Sequence, residues 1–400
     1  MPGDPSIAPL GLRRRELPGL LLAFGGLSLL AFADGGFFPT VWRAATAGFL
    51  CVAALAFVLR WRVSLTRAQL LVVGALGALA VWTALSASWS PAADASLLEA
   101  QRTLVYVTLA LAAAAVAGSL LEGTLAALGL VCAYAVGQRL VRGPPDPPDP
   151  FEGTLLQDPL GYANALGGLA AIGLAIAIVR AVSGHRRLPH GLLACLFAVT
   201  LILTGSRGGW LAAFVGTGVA LALCFGRSLL ARALAAGAAA VLALALSLSA
   251  GSLVDDFASR GGERPWYWHV AWAEVADAPL VGKGAGTFEL AWLERQPIPA
   301  SVRDAHSLYL ELLAELGIVG LALLGLALAP PLLAGFRGGS AAAAGGYVAF
   351  LAHAGLDWDW EFPAVTGAGL LCGAALLVRE NASFWIGHRL TGCNRQEGAS

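Results

Sequence analysis

The sequence predicts an all-α fold: a polytopic membrane helical bundle of about twelve transmembrane helices, with one long external loop between spans 9 and 10. Three observations predict it. Hydrophobic residues make up 58% of the chain and charged residues only 12%, whereas a surface in water needs roughly 25–35% charge. Apolar runs of about 20 residues recur along the chain, the length a helix needs to cross a bilayer core. Fifty glycines and many alanines suit close helix–helix approach in lipid. A chain of 400 residues would otherwise divide into two or three soluble domains. No internal repeat or separable soluble domain is visible, so 1–400 reads as one transmembrane domain.

The spans follow in order. Arg13, Arg14 and Arg15 precede an apolar run at 17–33. No small-residue cleavage site follows it, so it reads as a retained first span. Runs at 41–59 and 68–86 come next, then 103–121 and 123–141, joined tightly at Glu122–Gly123. The loop GPPDPPDPF at 143–151 cannot continue a helix and favours an extended lid or spacer. Spans at 161–182, 189–204, 209–226 and 229–250 lead into the long loop at 251–304. Spans at 305–334, 341–356 and 362–378 close the chain. The runs at 189–204 and 341–356 are short and suggest tilt.

Orientation follows from arginine placement. With the N-terminus in the cytoplasm, the cytoplasmic segments receive Arg13, Arg14, Arg15, Arg60, Arg62, Arg67, Arg180, Arg186, Arg187, Arg227, Arg232, Arg337, Arg379, Arg389 and Arg395. The acids Asp34, Asp94, Glu99, Asp146, Asp149, Glu152 and Asp158 fall outside. Both termini are then cytoplasmic. GSRGG at 205–209, the long loop, His306 and DWDWEFP at 357–363 all land on the external face.

The formal net charge is zero, which points to no nucleic acid. Six cysteines, Cys51, Cys132, Cys195, Cys224, Cys372 and Cys393, show no metal-ligand spacing and read as small apolar side chains. No cofactor or metal is expected.

The chemistry-bearing residues gather at the external boundary. Arg207 stands between two apolar runs, a costly place unless it reaches water or an anion. It reads as a snorkelling anchor or as an anion ligand, and its outer position favours the anion. Its flanking glycines would let a ligand approach closely. Arg260 and Arg264 precede the aromatic run Trp266, Tyr267 and Trp268, which reads as an interfacial belt or as a diphosphate and sugar site. GKGAGTF at 282–288 is similar to a nucleotide glycine loop. No strand–turn–helix unit surrounds it, so a flexible turn is expected. His306 is expected to open a helix beside Arg303 and Asp304, with Asp304 orienting or charging it. Tyr309, Leu310 and Leu313 would share its face. Glu311 and Glu315 sit one turn apart in the span, where acids should pair with cations. Asp357, Asp359 and Glu361 read either as an interface cap with Trp anchors or as a carboxylate group able to bind Mg²⁺ or Ca²⁺. His353 is expected to pair with Asp357.

SRGGW, Arg264 four residues before Trp268, PLVGKGAGTF and AHSLYLELLAELGIVG resemble, in order and spacing, the successive signatures of the O-antigen ligase family, a superfamily with O-antigen polymerases and pilin oligosaccharyltransferases. GYANALG at 161–167 and DWDWEFP are similar to further pieces of it. The strong likeness covers about 200–325. It implies an inverting, lipid-carrier-dependent glycosyltransferase of the bacterial cytoplasmic membrane. The donor would be an undecaprenyl-diphosphate-linked glycan, and the acceptor hydroxyl would belong to a glycan, lipid or protein. By the same resemblance Arg207 and Arg264, with Arg260 as the alternative partner, would hold the diphosphate, and His306 would be the base. Asp304, Arg303, Trp268, Tyr309, Glu315 and Asp357 would support the site and substrate. Ser307 stands where the family often has Asn, which changes a neighbour of the base. A transporter or flippase for lipid-linked sugars, with Glu311 and Glu315 as proton carriers, is the alternative from another class. A non-catalytic assembly scaffold is a third.

Overall fold

A computed structural model describes residues 16–59, 63–116, 118–183, 187–225 and 263–393, with side chains described to 378. Arg260 and the expected span at 229–250 lie outside the described residues. Among the described residues there are thirteen α-helices: α1 Leu17–Ala31, α2 Pro39–Leu59, α3 Arg67–Ser86, α4 Ala93–Val116, α5 Leu120–Arg142, α6 Ala163–Ser183, α7 Arg187–Thr204, α8 Arg207–Phe225, α9 Arg264–Asp277, α10 Phe288–Arg295, α11 Leu308–Phe336, α12 Ala341–Ala354 and α13 Pro363–Cys393. Eight of them, α2 to α8 and α11, are long and apolar enough to cross a membrane. The apolar helices α1, α12 and the Pro363–Val378 part of α13 are shorter. No named strand occurs among the described residues, only an isolated bridge between Asp149 and Gly153.

The expected runs coincide with helices, with one shift. The span expected at 103–121 belongs to a helix that starts ten residues earlier, at Ala93. Its polar first turns survive because Glu99 and Arg102 pair at 2.6 Å and Arg102 also pairs with Glu361 of the last connection. Arg102 is 1% exposed, so the helix carries a neutralised charge instead of beginning after it.

Small residues set the packing. The centre is α6, an almost wholly buried helix of alanines, glycines, leucines and isoleucines. α7, α8 and α12 pack around it. A Cβ added at Gly216 of α8 would stand 2.5 Å from the carbonyl of Gly345 in α12, and one at Gly345 would stand 2.6 Å from the Ala220 Cβ. Helices this close gain dispersion contacts that lipid cannot offer. Lengths and caps add definition. Thr66 and Gln69 form a capping box at α3, and the Ser340 hydroxyl caps α12.

The span α11 is broken. Gly317 has φ +66°, a value natural only to glycine. A break inside an apolar helix frees backbone groups that cost several kcal/mol each if left bare in hydrocarbon. The segment before α10 supplies the partners. Ile318 N donates to Pro279 O at 2.9 Å, Gly284 N to Glu315 O at 2.8 Å and Lys283 N to Ala314 O at 3.3 Å. The indole of Trp82 donates to Leu316 O at 3.1 Å. PLVGKGAG is therefore a fixed plug in the break, not the flexible turn expected for GKGAGTF. Gly282, Gly284 and Gly286 all have positive φ within it.

Candidate active site

One rim of the bundle gathers the ends of several helices. The last turn of α7 accepts from the loop before α6, Leu156 N donating to Leu203 O at 3.0 Å. The α1–α2 connection packs Phe37 on Trp358 at 5.9 Å and Phe362 at 5.5 Å. The α3–α4 turn joins the plug, since Ala285 N donates to Ser86 Oγ at 3.1 Å and Ser96 Oγ donates to Ala285 O at 2.7 Å.

The long loop is partly folded. α9 and α10 share a small core of Tyr267, Val270, Phe288, Trp292 and Val302. Trp268 packs against this core half-buried, while Trp266 stays exposed. Charge pairs tie the two helices: Arg295 meets Glu274 at 3.0 Å and Asp277 at 2.6 Å. These pairs hold α9 so that Arg264, its first residue, faces the rim.

His306 lies two residues before α11 instead of opening it, in the left-handed region at φ +52°. That conformation costs a non-glycine residue roughly 1–2 kcal/mol. Tyr309, Leu310 and Leu313 therefore do not share a helical face with it. The imidazole sits between two aromatic rings, Tyr267 at 5.1 Å and Trp358 at 5.7 Å. Its Nδ1 is 2.9 Å from the main-chain carbonyl of Asp304. A carbonyl can only accept, so Nδ1 carries the proton and Nε2 keeps the basic lone pair. Burial lowers the imidazole pKa below its ordinary value, with Asp357 opposing. Burial thus favours the neutral ring, and the main-chain bond fixes which nitrogen carries its proton. The Asp304 carboxylate, expected to orient it, points elsewhere.

Asp304 turns into a buried acidic group. Its carboxylate and those of Glu311 and Glu361 lie within 4.8 Å of one another, next to the Glu99–Arg102–Glu361 pairs. Burial pushes the Asp304 carboxyl up to about 7, against the pull of Arg303. The Glu311 carboxylate accepts from Ala305 N at 2.7 Å. Glu315 accepts from Gly286 N at 2.8 Å and Phe288 N at 2.9 Å. Glu311 and Glu315 thus bind backbone amides where cations were expected. Arg303 lies exposed with its guanidinium 5.7 Å over the ring of Phe37. Tyr309 donates to Leu351 O at 2.8 Å and fastens α11 to α12.

The acids of DWDWE diverge, so they do not form one carboxylate group. Asp357 binds Arg264 at 2.7 Å and accepts from the Tyr162 hydroxyl at 2.9 Å. Asp359 takes His353 at 2.8 Å, the partner expected for Asp357. Glu361 takes Arg102. Spacing along the chain put these acids together, but alternate side chains of the short 3₁₀ turn Asp359–Glu361 face different helices.

Arg207 is the first residue of α8 and is exposed. Gly205, at φ +64°, turns the chain there. Ser206 Oγ accepts from Gly209 N at 3.0 Å and fixes the first turn. The glycines beside Arg207 serve packing more than ligand approach, since a Cβ at Gly209 would meet Leu201 at 2.8 Å and Gly167 O at 3.1 Å. A Cβ at Gly208 would touch His353 and Leu356 at 3.8 Å. The first turn of α8 thus packs beside Leu356, the residue before Asp357. A helix N-terminus beside a guanidinium is a ready anion site.

An apolar cavity of about 750 Å³ lies elsewhere, between α1 and α2, and is lined by residues such as Leu21, Gly25, Leu29, Val41 and Val52. None of the polar rim residues lines it.

Three groups escaped the sequence reading. Tyr162 lay inside GYANALG without being singled out. Arg102 was placed just outside a span, although an arginine inside an apolar helix is itself a signal. Tyr267 is read only within the aromatic run, as belt or sugar surface, and not as a neighbour of His306.

With this geometry in view, residues 192–325 match the family model described as O-antigen ligase. This segment is similar to O-antigen ligases. No curated protein matches the chain. The matched segment contains Arg207, the whole of α9 and α10, the plug, His306 and the first half of α11. Asp357 and Tyr162, which bind Arg264 directly and through it, lie outside the matched residues. The protein is a polytopic helical membrane protein, part of which is similar to O-antigen ligases.

Proposed function

We propose that the protein transfers a glycan from an undecaprenyl-diphosphate carrier to an acceptor hydroxyl at the external face of the bacterial cytoplasmic membrane, as a ligase or polymerase. The observation that carries this reading is the hydrogen bond from His306 Nδ1 to the Asp304 carbonyl, which leaves Nε2 as a base beside Trp358 and one residue from the Arg264–Asp357 pair.

The chemistry follows from these parts. The acceptor oxygen attacks the anomeric carbon as its proton passes to His306 Nε2. The new glycosidic bond forms as the bond from that carbon to the diphosphate oxygen breaks, with inversion. The diphosphate leaves with its own charge, so a strong acid is not needed. Arg264 commits one guanidinium nitrogen to Asp357 and keeps others for a phosphate. Arg207 and the N-terminus of α8 supply a second positive site. Charge stabilisation of this kind is worth roughly 10²–10³-fold per donor, and a positioned base roughly 10²–10⁴-fold. Both substrates are amphipathic, which suits a rim at the lipid–water boundary. The arginine bias of the short connections supports placing this rim outside, with both termini in the cytoplasm.

The test is glycan transfer by Arg207→Ala, Arg264→Ala and His306→Ala. Each should abolish transfer without lowering membrane abundance. Normal transfer by the triple variant would point to a scaffold. Proton-driven movement of sugar-lipid with no covalent product would point to a transporter. The mass of the glycan in a deletion strain separates the two transferase forms: single units attached normally mean polymerase, and long chains left on the carrier mean ligase.

A further inference from the structure

We infer that Tyr162 is a positioning residue for the diphosphate site, holding Asp357, and through it Arg264, in register with the imidazole of His306. The inference rests on the reading that Arg264 binds diphosphate.

The hydroxyl of Tyr162 donates to Asp357 Oδ1 at 2.9 Å and accepts from Asn164 Nδ2 at 2.9 Å. Asp357 Oδ1 also accepts from Trp358 N at 3.0 Å, and Oδ2 takes the Arg264 guanidinium at 2.7 Å. Asp357 is 2% exposed, so this buried carboxylate is held by three donors and cannot rotate without losing at least one. The ring of Tyr162 is tied to the other arm of the site. It packs on Trp358 at 5.1 Å and stacks on Phe362 at 5.5 Å with the planes 20° apart. Trp358 in turn faces His306 at 5.7 Å.

One side chain therefore touches both halves of the machinery: its hydroxyl the cation arm, its ring the imidazole arm. Its own place is fixed locally. Gly161 turns the chain at φ +76° immediately before it, and Leu166 N donates to Tyr162 O at 3.2 Å as α6 begins. Tyr162 thus stands at the start of the most buried of the eight long spans. Burial and the Asp357 charge hold its hydroxyl protonated, the state in which it donates. Arg264 starts a short helix in a loop, and a loop-borne cation needs an anchor of this kind to be set to within a fraction of an ångström.

The experiment uses the full chain in detergent with undecaprenyl diphosphate as the probe, at constant ionic strength. Tyr162→Phe keeps the ring stack and removes only the hydroxyl. It should weaken binding roughly tenfold, the scale of a hydrogen bond to a charged group, with thermal midpoint and elution unchanged. In an Asp357→Asn background the same change should add less than about twofold, because the two act through one contact. Asn164→Ala should weaken binding less than Tyr162→Phe. Equal binding by wild type and Tyr162→Phe, or penalties that simply add in the double variant, would overturn the role of Tyr162. Failure of the wild type itself to bind the diphosphate would overturn the underlying reading instead.

Discussion

The carboxylate of Glu315 holds the amides of Gly286 and Phe288 at 2.8 and 2.9 Å. It binds the broken span α11 to the start of α10 and closes the plug beneath the candidate site. Glu315→Ala leaves two buried amides bare, at about 1–3 kcal/mol each. The variant should unfold in detergent several degrees below wild type, with Glu315→Gln intermediate because its amide oxygen still accepts. A thermal midpoint for Glu315→Ala within a degree of wild type would show that the plug does not depend on this carboxylate.

Gly317 makes the break that the plug fills. A Cβ there would stand 2.2 Å from Leu280 O, at φ +66°. Gly317→Ala should therefore sharply reduce folded protein in the membrane. Gly325→Ala, in the same helix with nothing within 4 Å, should accumulate normally. Equal abundance of the two variants by quantitative immunoblot would count against the break as a structural requirement.

Arg264→Lys separates charge from shape. Lysine can still meet Asp357 as a point charge, but it cannot offer a planar fork to a phosphate at the same time. Transfer should fall roughly 10- to 100-fold in kcat/KM while abundance holds. A fully active lysine variant would mean that charge alone suffices.

The pH profile follows from the burial of His306. Its pKa is lowered below the ordinary histidine value of about 6.5. The reaction needs the neutral ring, so the rate should be on its plateau at neutral pH. It should fall as pH drops through that lowered value, where Nε2 becomes protonated. An acid limb centred above 6.5 would contradict a buried, neutral His306.

Much of the helix order was legible because an apolar run long enough to cross lipid has few other fates. The expected runs on described residues each carry a helix, and Arg264 meets Asp357 beside the Trp358 that packs on His306. What local pattern could not show was pairing across distance. Arg102 meets Glu361 over most of the chain's length, so α4 could begin in polar sequence. Asp357 and Asp359 differ in partner because side chains two residues apart in a tight turn face different helices. Gly317 reads as one more glycine in a Gly-rich span until the loop that fills its gap is seen. His306 was expected on a helix because polar residues often start one. The left-handed value at this position is set by the Asp304 carbonyl and the two flanking rings, which no spacing rule encodes.

The account stands or falls on His306 as the base. Its most direct test is the rate of glycan transfer by the purified His306→Ala protein, reconstituted with its natural lipid-linked donor and acceptor and matched to wild type for folded amount. The rate should drop by roughly 10²–10⁴-fold, and the acid limb of the pH profile should vanish with it. A His306→Ala protein that transfers at the wild-type rate, with the limb intact, would contradict the assignment.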